Sequence, residues 1–250
     1  MAKSKINWTE RTWNPVTGCT KYSAGCANCY AETMTRRLQA MGLEKYRYGF
    51  DKVKCHPENL IEPFKIKEPS TFFVCSMADL FHEDVPFEFV DRVMHTIANT
   101  PNHTYQILTK RSEKLSSYCA WERVPDNVWL GVTVEAEQYK NRINVLRDIG
   151  IYSHNGKTFL SCEPLLSDLG ELNLMGIDWV IVGGESGPHA RPMKKEWVLN
   201  IQRQCQEQDV PFFFKQWGTY GEDGVKRNAK ANGNLIDGRQ YIEYPKSFYK

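Results

Sequence analysis

Six short runs of β-branched and aromatic residues, at 72–75, 105–108, 128–134, 158–160, 179–182 and 211–214, constrain this chain more than anything else in it. Each is mostly apolar rather than alternating, which is the pattern of strands buried on both faces. Between most of them lie segments with helical spacing of apolar residues, at 87–98, 136–149 and 194–208. Strand and helix therefore alternate, and that implies a parallel sheet wrapped by helices. A weaker signal near 12–15 adds a first strand, and the link LLSDLGELNLMGI is too short for a long helix. The expected fold is α/β, a partial or distorted (β/α) barrel of six or seven mostly parallel strands, short of the eight of a closed barrel.

No low-complexity tract divides the 250 residues, so a single domain over 1–250 is expected, with a loop at 18–30 and a C-terminal extension from about 218 to 250. Polar residues follow each predicted strand. Ser76 and Asp79 follow the first of the six runs, Thr109, Lys110 and Arg111 the second, and Thr133 and Glu135 the third; Ser161 and Glu163, Glu185 and Ser186, and Lys215 and Gln216 follow the rest. In parallel α/β folds this carboxyl rim is where sites are built, and six repeats of one pattern point to a shared polar cavity.

With 32 basic against 30 acidic residues the formal charge is only +2, so any nucleic-acid contact must be a local patch. The start MAKSKINWTE has no signal-like apolar run, and no stretch approaches the length of a membrane span; a cytoplasmic protein is expected. In that reducing compartment eight cysteines point to burial, metal binding or redox chemistry rather than disulfides.

Three of the eight act together in this reading. In WNPVTGCTKYSAGCANCYAE, Cys19, Cys26 and Cys29 are separated by six and then two residues, and the segment runs into the helical pattern AETMTRRLQAM. A close pair plus a third cysteine on a glycine-containing loop can converge on one metal. A structural zinc site wants four protein ligands, whereas three leave a coordination position open for chemistry. Spacing favours an iron–sulfur cluster, with zinc or three unrelated buried thiols as alternatives. Cys75, Cys119, Cys162 and Cys205 sit singly among apolar residues and are expected in the core.

From TWNPVTGC through SMADLFHE, LTKR, SCEPL and VGGESG to FFFKQWG, the sequence resembles the three-Cys-motif, phage-associated proteins, a family of uncharacterised function related to radical SAM enzymes. The resemblance implies a radical-SAM-like barrel. It also implies a [4Fe-4S] cluster on Cys19, Cys26 and Cys29, and S-adenosylmethionine (SAM) cleaved reductively to a 5′-deoxyadenosyl radical. The usual radical SAM spacing is three and then two residues, with an aromatic just before the third cysteine. Here six residues fill the first gap, Asn28 precedes the third cysteine and Tyr30 follows it.

Other residues take roles within that expectation. Gly183 and Gly184 would let the backbone approach SAM, while Glu185 and Glu163 offer acceptors for its ammonium or ribose hydroxyls. Tyr30, Ser76, Ser186 and Arg191 complete the candidate cofactor contacts. Asp79, Lys110, Arg111, Lys215 and Trp217 are candidates for the substrate, with cations for phosphate and an aromatic for a base. A nucleotide or nucleic acid is thus the first expected substrate, a reductant protein the expected electron donor, and a second protein chain a further candidate partner; no membrane partner is expected. The competing functions are a cluster- or zinc-stabilised nucleic-acid-binding module without catalysis, and a metal-dependent hydrolase. Three thiolates suit soft metals better than hydrolytic Mg²⁺ or Mn²⁺, which weakens the latter.

Overall fold

The computed structural model describes residues 4, 6–152 and 155–246; the last four residues of the expected C-terminal extension lie outside them. Seven strands form one sheet: β1 (Arg11–Trp13), β2 (Thr71–Val74), β3 (Thr104–Thr109), β4 (Val128–Thr133), β5 (Lys157–Cys162), β6 (Trp179–Gly183) and β7 (Phe212–Gln216). Their order in the sheet is their order in the chain, with β1 and β7 at the two edges. The pairs β1–β2, β2–β3, β5–β6 and β6–β7 run parallel. An open, sequentially ordered parallel sheet is the partial (β/α) barrel expected from the alternation of runs, and the weak signal near residue 12 is its first strand.

The helices are α1 (Tyr30–Ala40), α2 (Phe87–Ala98), α3 (Ser112–Cys119), α4 (Asn141–Tyr152) and α5 (Lys195–Glu207). On α2 the buried positions are Phe89, Val90, Val93, Met94, Thr96 and Ile97, a stripe of period 3.6 that faces the sheet. One segment departs from its sequence pattern. The helical spacing over 136–149 yields a short 3₁₀ turn, Glu137–Tyr139, before α4 begins at Asn141. The delay has a cause: the Glu135 carbonyl accepts from Leu166 N at 2.8 Å and Glu137 N donates to Ser167 Oγ at 3.1 Å, so the chain is tied to a neighbouring loop before it can coil.

The chain divides into two compact units, one of residues 1–22, 29–131 and 149–156, the other of 23–28, 132–148 and 157–250. In the first, Phe72 stacks on Tyr105 with centroids 5.3 Å apart and Trp13 meets Tyr105 edge-on at 5.7 Å. In the second, Trp179 meets Phe213 edge-on at 5.7 Å. Such buried rings supply most of the hydrophobic stabilisation of each unit.

The link between β5 and β6 contains no helix, as its length required, and its backbone polar groups find side-chain partners instead. Gln204 of α5 accepts from Leu172 N at 2.6 Å and donates to the Gly170 carbonyl at 2.9 Å. Gln208 does the same for Leu174 N and the Leu172 carbonyl, at 2.9 and 3.0 Å. Two glutamines one helical turn apart thus replace the backbone ladder that a crossover helix would have provided. Gln204→Leu keeps the volume but strands two buried backbone groups, and is expected to cost about 2 kcal/mol. In a chain of this length that lowers the melting temperature by roughly 4–8 °C; scanning calorimetry with no shift would refute this role for Gln204.

Candidate metal centre

The loop over residues 18–30 begins at a glycine for a physical reason. Gly18 has φ of +82°, and a Cβ there would run into the Lys52 carbonyl oxygen. The tight approach lets Cys19 N donate to the Phe50 carbonyl at 2.8 Å. Cys19 and Cys29 are both half-buried and pack against one small apolar cluster, Ala31, Phe50 and Met77. Two of the three thiols of the loop therefore share a wall.

Beyond β3, Arg111 is almost fully buried and organises this half of the loop. Its Nη1 donates to Cys19 Sγ at 3.7 Å and pairs with Asp79 Oδ2 at 3.2 Å, its Nε donates to Glu83 at 2.9 Å, and its Nη2 donates to the Thr20 carbonyl and hydroxyl at 3.2 Å each. Burial would lower the guanidinium's pKa, but Asp79, Cys19 and Glu83 outweigh it and the group is held above its ordinary value. Asp79 also accepts from Thr109 Oγ1 at 2.8 Å and Lys110 N at 3.2 Å, which fixes it to the end of β3. His82 is buried, with its pKa lowered first by desolvation and then by Arg111. Its Nδ1 accepts from Asp84 N at 3.1 Å, so Nε2 carries the proton and donates to Thr20 Oγ1 at 2.8 Å. Tyr30, partly exposed, donates its hydroxyl to the Ser76 carbonyl, and Ser76 Oγ donates to Asn14 Oδ1 at 3.1 Å.

The other half of the loop, residues 23–28, is strapped by two buried carboxylates of its own unit. Glu135, beyond β4, is fully buried and accepts from Ser23 Oγ and from Gly25 N. Its charge is answered by Arg142 at 2.9 Å, which also donates to the Thr133 carbonyl. Gly25 lets the loop approach closely, since a Cβ would sit 3.1 Å from the Glu135 carboxylate. Glu185, beyond β6, pairs with Arg191 at 2.6 Å and accepts from Arg191 N and from Asn28 Nδ2 at 2.8 and 3.1 Å. Arg191 Nη1 in turn donates to the Ala24 carbonyl at 3.0 Å. Burial pushes the Glu185 carboxyl up, but the hydrogen bonds from Arg191 and Asn28 prevail and hold it below the usual range. Cys26 Sγ lies 3.9 Å from Ser23 Oγ.

The GGES turn and the KQWG turn interlock. A Cβ on Gly184 would strike the Trp217 carbonyl, and one on Gly218 would strike the Glu185 carbonyl. A Cβ on Gly183 would reach Glu163 Oε1 at 2.5 Å. Glu163 pairs with Lys215 at 3.1 Å and accepts weakly from Ser161 at 3.4 Å, and Ser186 accepts from Gln216 at 2.9 Å. Trp217 is in the core, its indole donating to the Leu235 carbonyl at 2.7 Å. The sequence expectation of a base-stacking surface at Trp217 finds a structural tryptophan instead. Glu185 and Arg191, expected as separate ligand contacts, are spent largely on each other, and Arg111 and Asp79, expected at the substrate, brace Cys19. Glu135 and Arg142 went unrecognised as site residues; the sign was present in the polar residue after β4, but nothing in the sequence pairs it with an arginine seven positions on.

The donor chemistry suits a soft metal centre. Cys75, Cys119, Cys162 and Cys205 are buried and burial pushes their thiols up, those of Cys119 and Cys205 to about 12. They are inert core residues, as expected. The three thiols of the loop are half-buried instead, and Cys19 accepts a hydrogen bond from the Arg111 guanidinium. Among the described residues no three Cys, His, Asp or Glu side chains are yet gathered as a ligand set.

A family model matches residues 3–245, and the chain belongs to that family, DUF5131, proteins of unknown function. No phage association comes with the match. No curated protein matches the chain. Among solved structures it is similar to a spore photoproduct lyase complexed with dinucleoside spore photoproduct, with 12% identity and a TM-score of 0.49. It is similar too to a variant of that enzyme with bound AdoMet and dinucleoside spore photoproduct, at 13% and 0.48. In both cases the match covers 82% of this chain and 63% of the other, so this chain spans less than two thirds of the lyase. No described helix is long and apolar enough to cross a membrane.

The two straps differ in burial, and that orders two mutations. The Arg142 side chain is 6% exposed and that of Arg191 35%. Glu135→Ala leaves a buried charge unanswered and is expected to cost about 3–5 kcal/mol, whereas water can reach Arg191 in Glu185→Ala and the loss is expected to be smaller. Urea unfolding giving the reverse order would contradict the assignment of Glu135 as the tighter strap. A histidine with a depressed folded pKa leaves stability untouched above its unfolded pKa of about 6.5 and lowers it progressively as pH falls from there towards the folded value, below which the loss levels off. Stability should therefore fall from pH 7 towards 5, and His82→Gln should flatten part of that slope in denaturation curves; an unchanged slope would count against the neutral, Thr20-bonded His82.

Proposed function

We propose that this protein is a radical SAM-like iron–sulfur enzyme acting on a nucleotide or nucleic acid, with Cys19, Cys26 and Cys29 as the three ligands of a [4Fe-4S] cluster. The reading rests chiefly on one observation, the half-buried cysteine loop held by Arg111 in one unit and by Glu135 and Glu185 in the other. A loop without a function has no need of three buried ion pairs. When bound, the cluster and SAM would supply reductive cleavage of the sulfonium carbon–sulfur bond to give a 5′-deoxyadenosyl radical.

Within the reading, the chain's own residues bind and orient. Gly183 and Gly184 end β6 in close contact with their neighbours, and Glu163, half-buried beside Gly183 and paired with Lys215, is the carboxylate assigned to accept from the ammonium or ribose of SAM. Tyr30, Ser76 and Ser186 supply hydroxyls near the loop and the GGES turn. Lys110 and Lys215 are the cations assigned to substrate phosphate. The cluster needs an electron from outside, which a reductant protein would provide. AdoMet is what one of the similar solved structures holds; the proposal stands on this chain's own residues.

The test is reconstitution with iron and sulfide under anaerobic conditions, reduction, and titration with SAM while the cluster's electron paramagnetic resonance signal is followed. The expected result is a changed signal and release of 5′-deoxyadenosine, both abolished in Cys26→Ala. Glu163→Gln should keep the cluster and weaken SAM binding by about tenfold, the value of one charge-assisted hydrogen bond. A full cluster that neither responds to SAM nor cleaves it would move the protein to the other class, a cluster-stabilised nucleic-acid-binding module.

A further inference from the structure

We propose that the exposed group formed by Arg47, Tyr48, Lys52 and Lys54 is a binding surface for single-stranded nucleic acid beside the cysteine loop. This deepens, and rests on, the nucleic-acid reading of the proposed function. The first observation is the charge distribution. Residues 36–54 contain six basic and two acidic residues, a net of +4, so the remainder of this nearly neutral chain carries −2. Positive charge is therefore concentrated in one stretch, the footprint expected of a phosphate-binding patch.

The second observation is the ring within that charge. Tyr48 is 51% exposed, with the Arg47 guanidinium 4.4 Å and the Lys54 ammonium 4.8 Å from its ring centroid. Arg47 also touches the Tyr48 hydroxyl and Glu44, while Lys52 stands exposed nearby in sequence. Two cations gathered on an exposed aromatic ring form the unit that single-strand binders use, phosphate neutralised by the cations and base stacked on the ring. A phosphate drawing Lys54 or Arg47 from the ring frees a face for a base. Bases in a duplex have no face to offer, which favours a single strand.

The third observation is placement. The segment is rigid: Tyr46 N bonds to the Leu43 carbonyl at 3.0 Å, Gly49 N to the Tyr46 carbonyl at 3.0 Å, and Gln39 of α1 to the Arg47 carbonyl at 2.9 Å. Its end is fastened to the loop. Phe50 is buried against Ala31 and Met77 with its carbonyl on Cys19 N, and Lys54 sits opposite Thr17 in a two-stranded antiparallel pair. The segment that carries Tyr48 is thus joined through Phe50 to Cys19 and Cys29.

The purified full chain is tested with fluorescein-labelled oligothymidylate DNA and oligouridylate RNA of about a dozen nucleotides, near the site size of single-strand binders. Fluorescence anisotropy is read from low to moderate salt. The surface is expected to bind both, with Tyr48→Leu weaker by about tenfold from the lost stack. In the Arg47→Gln, Lys54→Gln pair the slope of log affinity against log salt should fall by about 1.4, two phosphates at roughly 0.7 each. Arg123→Gln, an exposed cation elsewhere, should change nothing, and circular dichroism melting verifies that each variant is folded. Unchanged affinity and slope in the folded variants overturn the proposal, as does tighter binding of a duplex of matching sequence. SAM cleavage in the absence of any oligonucleotide separates the two readings. Cleavage by a chain with no oligonucleotide affinity overturns the surface and leaves the cluster; affinity that depends on Tyr48 in a chain that never cleaves SAM upholds the surface and removes the cluster enzyme.

Discussion

A buried carboxylate must have its charge answered, and in this protein the answers are what hold the cysteine loop in place. Glu135 is answered by Arg142, Glu185 by Arg191 and Asp79 by Arg111. In each pair one partner also bonds to the loop: Glu135 to Ser23 and Gly25, Glu185 to Asn28 with Arg191 to Ala24, and Arg111 to Cys19 and Thr20. Isolated buried ion pairs contribute little net stability because desolvation offsets attraction. Their effect here is to fix a conformation, since any other path of the loop would forfeit its hydrogen bonds to these paired groups.

Under the proposed function, such fixation would act on a redox centre. In an iron–sulfur protein, hydrogen bonds to the ligand sulfurs tune the potential of the cluster. Arg111 is the group positioned to do this, since it donates to Cys19 Sγ while Asp79 and Glu83 balance its charge. Glycine serves the same end. Gly18 and Gly184 stand where a side chain would collide with backbone, and Gly25 and Gly183 where it would crowd the carboxylates of Glu135 and Glu163.

The fold was legible because its signal is periodic and repeated. All six apolar runs became strands, the first strand announced itself weakly near residue 12, and α2 follows its stripe from Phe87 to Ala98. The site was legible in part. The cysteine loop and the polar rim could be read from spacing, and the inert core cysteines from their apolar neighbours. Which polar residue meets which could not be read, because the pairs join positions brought together only by folding: Asn28 to Glu185, Ser23 to Glu135, Cys19 to Arg111. Trp217 shows the limit from the other side. Its place at a strand end suggested a stacking ring, yet the ring lies in the core with its indole donating to the Leu235 carbonyl.

The central claim is that Cys19, Cys26 and Cys29 together hold one cluster. Mössbauer spectroscopy of anaerobically prepared, ⁵⁷Fe-enriched protein, with iron and sulfide analysis on the same sample, tests it most directly. The account expects about four irons and four sulfides per chain in a cubane spectrum, lost in each single cysteine-to-alanine variant of the loop and kept in Cys55→Ala. Zinc in place of iron, or a cluster that survives replacement of any of the three loop cysteines with its stoichiometry intact, would contradict it.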